Sequence, residues 1–284
     1  MFDTYINTLD LAKSFDAPHW VVIDCRFSLA DTELGRREFN ALRIPGAHYA
    51  HLDTDLSDPG QAGQFGRHPL PDPAIFAAIL GRWGVEPDTQ VVVYDSAGGM
   101  IAARLWWMLH WMGHEQAAVL DGGWQAWQQA GLPTSSDRYE ARPGMPAYPF
   151  TLQTELAVDF DDVMSMRIDQ RKSRLRDSRA PARYHGQHEP IDPVAGHIEG
   201  AQNAPHPLVV AENGLSHTAA ELARHFSSLI EIERANEHIF YCGSGVTACR
   251  NILAVKHAGL GMPRLYPGSW SEWIARGAHL PANT

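Results

Sequence analysis

The stretch Tyr241-Cys242-Gly243-Ser244-Gly245-Val246-Thr247-Ala248-Cys249-Arg250 governs the reading of the whole chain. The apolar run before it, His238 to Tyr241, predicts a buried strand. Cys242 falls where that strand ends. Gly243 and Gly245 then let the backbone turn tightly, since glycine takes positive φ at little cost. From Val246 the pattern turns helical and runs to Gly259, a suitable residue to follow a helix C-terminus. A thiol is thus placed at the mouth of a loop that opens into a helix N-terminus. Loop N–H groups and the helix dipole both favour an anion there, and such surroundings lower a thiol pKa. A core cysteine needs no glycine-flanked loop, so Cys242 reads as a nucleophile rather than a structural thiol.

Sliding the chain on itself reveals an internal repeat. Val21-Val22-Ile23-Asp24-Cys25-Arg26 matches Arg174-Leu175-Arg176-Asp177-Ser178-Arg179, and Arg43-Ile44-Pro45-Gly46-Ala47 matches His197-Ile198-Glu199-Gly200-Ala201. Val93-Tyr94-Asp95 matches Phe240-Tyr241-Cys242, and Asp121-Gly122-Gly123-Trp124 matches Pro267-Gly268-Ser269-Trp270. The order is kept and the offset hardly changes, so one unit is written twice. Strands are expected over 20–23, 90–94 and 117–120, and helices over 73–83, 101–111 and 123–130. Alternating strands and helices imply two α/β domains, each a mostly parallel sheet with helices on both faces. The expected boundaries are 1–135 and 151–284, joined by a linker over 136–150. The run Leu132 to Phe150 carries Pro133, Pro143, Pro146 and Pro149, which suits a semi-rigid connection. Ligands in such folds bind in loops beyond the carboxyl ends of strands, where Cys242 lies. The first copy has Asp95 in that place, read as a carboxylate at a helix N-terminus, so the first domain is expected to do no chemistry and to wall a cleft.

Composition narrows the classes. A chain of 284 residues has room for about two domains. Its net charge of -10 argues against a nucleic-acid or anionic-membrane partner. Three cysteines form no disulfide framework and fit a reducing compartment. Met1 to Tyr5 shows no basic segment leading into an apolar core, so no signal peptide is expected and the location is read as cytoplasmic. Ile101 to Met112, interrupted by Arg104 and His110, is too short to span a bilayer. The 15 histidines form no metal motif: His48/His51 and His185/His188 lack a third ligand nearby, so neither a metal nor an organic cofactor is expected.

Three other readings of the loop were weighed. Gly243-Ser244-Gly245-Val246-Thr247-Ala248 also fits the dinucleotide pattern G-x-G-x-x-A. It opens too close to the C-terminus for a full dinucleotide fold, and the strand near Arg264 to Tyr266 ends without an acidic residue for a ribose. A cysteine phosphatase needs an arginine six positions after the nucleophile, where Ala248 stands, and Arg250 comes two residues later. A Cys/His hydrolase needs a histidine base, and neither His238 nor His257 is placed for it.

The loop from Cys242 to Ala248 resembles that of the two-domain rhodanese family, and within it the 3-mercaptopyruvate sulfurtransferase branch. Asp177-Ser178-Arg179, Gly196-His197-Ile198, Gly200-Ala201, Asp121-Gly122-Gly123-Trp124 and Gly268-Ser269-Trp270 extend the likeness over nearly the whole chain. The resemblance implies that Cys242 takes up sulfane sulfur as a persulfide, a step Asp95 cannot perform. It implies that the N–H groups of Gly243, Ser244, Gly245, Val246 and Thr247 stabilise thiolate and persulfide. Ser244 would assist proton transfer or polarise substrate, and Arg183 would hold the substrate carboxylate. Two departures stand out. A second carboxylate-binding arginine often follows Glu-Pro, but Glu189-Pro190 precedes Ile191. A histidine often opens the motif read here as Arg43-Ile44-Pro45-Gly46, so Arg43 becomes a candidate for the missing positive charge, with His68 a further candidate. Cys249 reads as a core thiol. The implied donor is 3-mercaptopyruvate and the acceptor a thiol (thioredoxin among them) or cyanide. Thiosulfate as donor, or a persulfide relay to a protein partner, are the alternatives. No side-chain cation lies within the loop itself, which favours mercaptopyruvate over the thiosulfate dianion.

Overall fold

The computed structural model describes residues 1–139, 146–168 and 174–279. The chain divides into two compact units: Met1–Ser57 with Pro71–Gln153, and Asp58–Leu70 with the chain from Thr154 onward.

The first unit holds β1 (Tyr5–Ile6), α1 (Thr8–Ala12), β2 (Trp20–Asp24), α2 (Leu34–Ala41), β3 (His48–Tyr49), α3 (Pro73–Arg82), β4 (Gln90–Tyr94), α4 (Ala102–Trp111), β5 (Ala117–Leu120) and α5 (Gly123–Gln129). Its five strands are all parallel, in the order β1-β5-β4-β2-β3. Every residue of β4 is buried, as expected of a strand covered on both faces, which is why Val91-Val92-Val93 reads as an unbroken apolar run. α3 starts at Pro73 because Asp72 caps it, its carboxylate accepting from the Ala74 and Ile75 N–H groups. α4 is buried along its whole length, so its sequence shows no polar face.

The second unit holds α6 (Phe160–Ile168), β6 (Leu175–Asp177), α7 (Pro181–Tyr184), β7 (Gln202–Asn203), α8 (Ala219–Phe226), β8 (Ile239–Tyr241), α9 (Ala248–His257), β9 (Arg264–Leu265) and α10 (Ser269–Ala275). Its sheet is also parallel, in the order β7-β6-β8-β9. A capping box between Thr218 and Glu221 starts α8. Val163, Leu175, Ile198, Tyr241, Tyr266 and Trp273 are among the buried residues of its core.

The repeat is physical as well as textual. In the first unit Arg26 forks onto Asp24 (2.6 Å), donates to the Leu42 carbonyl and lies over the Trp124 ring. In the second, Arg179 forks onto Asp177 (2.6 Å), donates to the Gly196 carbonyl and lies over Trp270. The Tyr94 and Tyr241 hydroxyls accept from the Ile44 and Ile198 N–H groups. These four buried ions and two phenols are the residues that the sequence comparison aligns.

The division departs from the expected 1–135 and 151–284 in two places. Residues 58–70 belong to the second unit although they sit inside the first in sequence. The expected linker 136–150 is largely part of the first unit: the Tyr148 N–H binds the Ala77 carbonyl, and a Cβ at Gly81 would strike the Pro146 carbonyl, so glycine lets the two backbones meet. Pro146 and Tyr148 thus make a fitted strap on α3. Residues 140–145, with Pro143, lie outside the described residues.

Candidate active site

β8 carries Cys242 just past its carboxyl end, 2 % exposed. The Cys242 N–H donates to Ser269 Oγ (3.1 Å) and its carbonyl accepts from the Trp270 N–H (3.0 Å), so the residue is fixed by the turn that opens α10. The two loop glycines do different work. Gly245 has φ +72° and a Cβ there would lie 2.3 Å from the Pro267 carbonyl, so only glycine fits. Gly243 is not among the residues of positive φ, contrary to expectation. Its place is close to three side chains: a Cβ would sit 3.0 Å from Arg67 NH2, 3.4 Å from Arg183 NH2 and 3.5 Å from Asp192 Oδ2, so the Arg67 guanidinium would have to give by a few tenths of an ångström. Val246 and Thr247 complete the turn, their carbonyls accepting from the Cys249 and Arg250 N–H groups. Cys249 is fully buried and its thiol turns back to the Gly245 carbonyl, which makes it the core thiol expected.

The twin loop, one residue longer before its helix, encloses an anion. Asp95 Oδ1 accepts from the Ala97 and Gly99 N–H groups (2.8 Å each), and Oδ2 from Ile101 (2.8 Å) and Ala102 (2.9 Å). The loop closes around a carboxylate at the mouth of α4, a nest of N–H donors. Cys242 occupies the same position in the repeat, at the mouth of α9.

Residues 58–70 bring two side chains to the Cys242 loop. His68 Nδ1 lies 2.8 Å from Ser244 Oγ, and both residues are buried. The histidine expected of the Arg43 position is therefore not missing: another part of the chain brings one to Ser244. Arg67 NH1 pairs with Asp192 Oδ1 (2.6 Å), and Arg183 NH2 pairs with Asp192 Oδ2 (2.9 Å). Arg183 also clamps Glu189 through Nε (3.0 Å) and NH2 (2.7 Å), and Arg179 reaches Glu189 at 3.3 Å. Burial works against the Glu189 carboxylate, but Arg183 and the Asp192 and Ile191 N–H groups outweigh it and hold its pKa below the ordinary value.

One expectation changes here. Arg43 does not serve this loop: it is buried in the first unit, donates to the Phe39 and Asp137 carbonyls and lies over the Phe39 ring. The backbone bridge Arg43–Ser135 holds it there, so its charge satisfies carbonyls of its own unit. The loop itself holds no side-chain cation, as expected, but Arg67 and Arg183 approach Gly243 from outside it, each tied to a carboxylate. Ile191, in the place of the second arginine, is 44 % exposed.

The rival nucleophile partners are accounted for. Arg250 donates toward His206 Nδ1 (3.3 Å), and burial with the Arg250 and Arg183 charges pushes His206 down to a pKa of about 4. His238 precedes β8, at the opposite end from Cys242, with its Nε2 accepting from the Glu231 N–H. Sequence reasoning missed Arg67 and undervalued His68. The available signal was the long irregular stretch between β3 and α3, since such loops in compact domains are commonly functional.

The Rhodanese-like domain model matches residues 8–130 and 160–276, and the chain belongs to that family, in two copies. Among curated relatives, a probable 3-mercaptopyruvate sulfurtransferase of Pseudomonas aeruginosa is 45 % identical over 271 residues, 95 % of this chain and 94 % of the relative. The thiosulfate sulfurtransferase of Rattus norvegicus is 31 % identical over 287 residues, 97 % of this chain and 93 % of the relative. Among solved structures, the 3-mercaptopyruvate sulfurtransferase from Leishmania major matches with a TM-score of 0.85 at 30 % identity, over 98 % of this chain and 75 % of that one. Among the described residues, no helix is long and apolar enough to cross a membrane.

Proposed function

We propose that this chain is a sulfurtransferase that takes sulfur from 3-mercaptopyruvate. The Cys242 thiolate attacks the donor sulfur. The S–S bond forms, the C–S bond breaks, and the enolate of pyruvate leaves and takes a proton. An acceptor thiolate or cyanide then attacks the outer sulfur of the persulfide and regenerates the Cys242 thiolate. The observation that carries this reading is the Ser244–His68 pair, 2.8 Å apart on the loop of Cys242. An enolate leaving group needs a proton, and a serine hydroxyl backed by imidazole is a means of delivering one. Thiosulfate leaves as sulfite and has no such need. The loop backbone, which in its twin encloses a carboxylate, stabilises the thiolate and the persulfide.

Charge balance supports the same donor. The guanidiniums of Arg67 and Arg183 near Gly243 are matched by Asp192 and Glu189, so the site suits a monoanion better than a dianion. The buried free thiols Cys25 and Cys249 fit a reducing compartment, and a cytoplasmic dithiol such as thioredoxin is the acceptor we favour. The test compares kcat/KM for the two donors with cyanide as acceptor. Mercaptopyruvate is expected to be preferred at least tenfold, about 1.4 kcal/mol in transition-state binding. Equal turnover of thiosulfate would favour the second reading, in which the two guanidiniums at Gly243 serve the dianion.

A further inference from the structure

We infer that Arg67 is a substrate-binding residue, the guanidinium that seats the donor's carboxylate beside Cys242, with Asp192 as the strut that aims it. The inference rests on the mercaptopyruvate reading and adds a residue to it. Arg67 is aimed by its backbone. Gly66 has φ +93° and a Cβ there would lie 2.6 Å from the Gly268 carbonyl, so the segment presses on the turn that opens α10. The Arg67 N–H donates to Ser271 Oγ (3.0 Å), and the Ser271 N–H donates to the Gly243 carbonyl (2.9 Å). One serine thus ties Arg67 to the residue that follows the nucleophile.

The two guanidiniums at Gly243 differ in what they have left to give. Arg183 commits Nε and NH2 to Glu189 and Asp192. Arg67 commits NH1 to Asp192, while its Nε is buried and hydrogen-bonded to none of the described residues. Its NH2 comes to 3.0 Å from where a Gly243 Cβ would be. With Nε buried, NH2 is the nitrogen that faces the Cys242 loop and can give a ligand carboxylate a charge-assisted hydrogen bond. The Arg67 side chain is 27 % exposed, against 17 % for Arg183, so it is the more accessible of the two. Asp192, with a side chain 1 % exposed, holds both guanidiniums and is too buried to leave them.

The experiment measures Arg67→Ala and Arg67→Lys with two donors, mercaptopyruvate and 1-mercaptopropan-2-one, which keeps the ketone and the C–S bond but lacks the carboxylate. Pyruvate inhibition of each variant is measured alongside, with thiosulfate as the reporting donor. Arg67→Ala should lower kcat/KM for mercaptopyruvate 10- to 100-fold, mostly through KM, and leave 1-mercaptopropan-2-one within twofold. The Ki for pyruvate should rise at least tenfold. Arg67→Lys, which keeps charge but loses the fork, should fall between. An equal loss with both donors, or a pyruvate Ki that does not move in either variant, overturns the inference, because Arg67 would then only hold the 58–70 segment in place. Failure of the wild type to turn over mercaptopyruvate would sink the donor assignment instead, while pyruvate inhibition would still report on Arg67.

Discussion

The loops after Tyr94 and after Tyr241 stand at corresponding places in the two units, six residues separating Asp95 from α4 and five separating Cys242 from α9, and they hold different side chains. Both follow the central strand of a parallel sheet, both open a helix, and both are pinned by a tryptophan N–H: Trp124 on the Asp95 carbonyl (2.9 Å), Trp270 on the Cys242 carbonyl (3.0 Å). In the first loop the anion is built in, a carboxylate that takes four backbone N–H groups. In the second the corresponding side chain is a thiol, whose thiolate and persulfide are, in the proposed function, the anions to be held. The nest of N–H donors is formed around Asp95, and the repeat sets Cys242 in the corresponding place, at the mouth of α9. A second difference lies beside the loops. The Cys242 loop receives Arg67 and His68 from residues 58–70, so its surroundings are built in part by a segment from the middle of the other copy's sequence.

The largest expected effect comes from removing the difference at Cys242. Cys242→Ser should abolish transfer while the protein stays folded, since an oxygen cannot carry sulfane sulfur. Mass spectrometry of the wild type after donor treatment should show one added sulfur, about 32 Da, on Cys242 alone. Cys25 is the internal control. It is fully buried, and burial together with Asp24, Asp95 and Asp55 pushes its thiol well up, so it should remain unlabelled. Sulfur on Cys25 or Cys249 would break the contrast between the loops.

Next in size is the borrowed segment. His68→Ala should lower kcat for mercaptopyruvate about 100-fold, the lower end of what a positioned acid or base contributes. Ser244→Ala should do nearly the same, and the double variant little more, because the two side chains act as one unit. Single-turnover kinetics of pyruvate release checks this. A double variant with multiplied losses would mean that the 2.8 Å pair is not the proton path.

How much of this was legible in the sequence follows from how local each feature is. The strands at 20–24, 90–94 and 117–120 were readable because a strand buried on both faces writes itself as an apolar run. β1, β3 and β7 are two residues each and carry no periodicity to read. Cys242, Ser244 and Gly245 were legible because strand, loop and helix lie together in sequence. Arg67 was not, and His68 stood only as a further candidate, because nothing local says that residues 58–70 leave their own unit. Arg43 misled for the matching reason: a charge placed by motif alignment at an expected site was in fact absorbed by two carbonyls and a ring.

The smallest expected effect on rate is also the cleanest check on the first loop. Asp95→Asn keeps the shape of the side chain but replaces an acceptor oxygen by an N–H₂ group. Two of the four N–H donors at 2.8 to 2.9 Å would then face another donor in a site where Asp95 is 1 % exposed. Leaving buried donors unsatisfied costs about 1–3 kcal/mol, so the urea midpoint should fall. The kcat/KM for mercaptopyruvate should stay within twofold, because the Cys242 loop draws its donors, its serine and its histidine from the second unit. A stability loss with unchanged rate is what a structural anion predicts. A rate that collapses while the urea midpoint stays put would reverse the comparison: the first loop would then be part of the reaction, and its carboxylate a group that the chemistry uses.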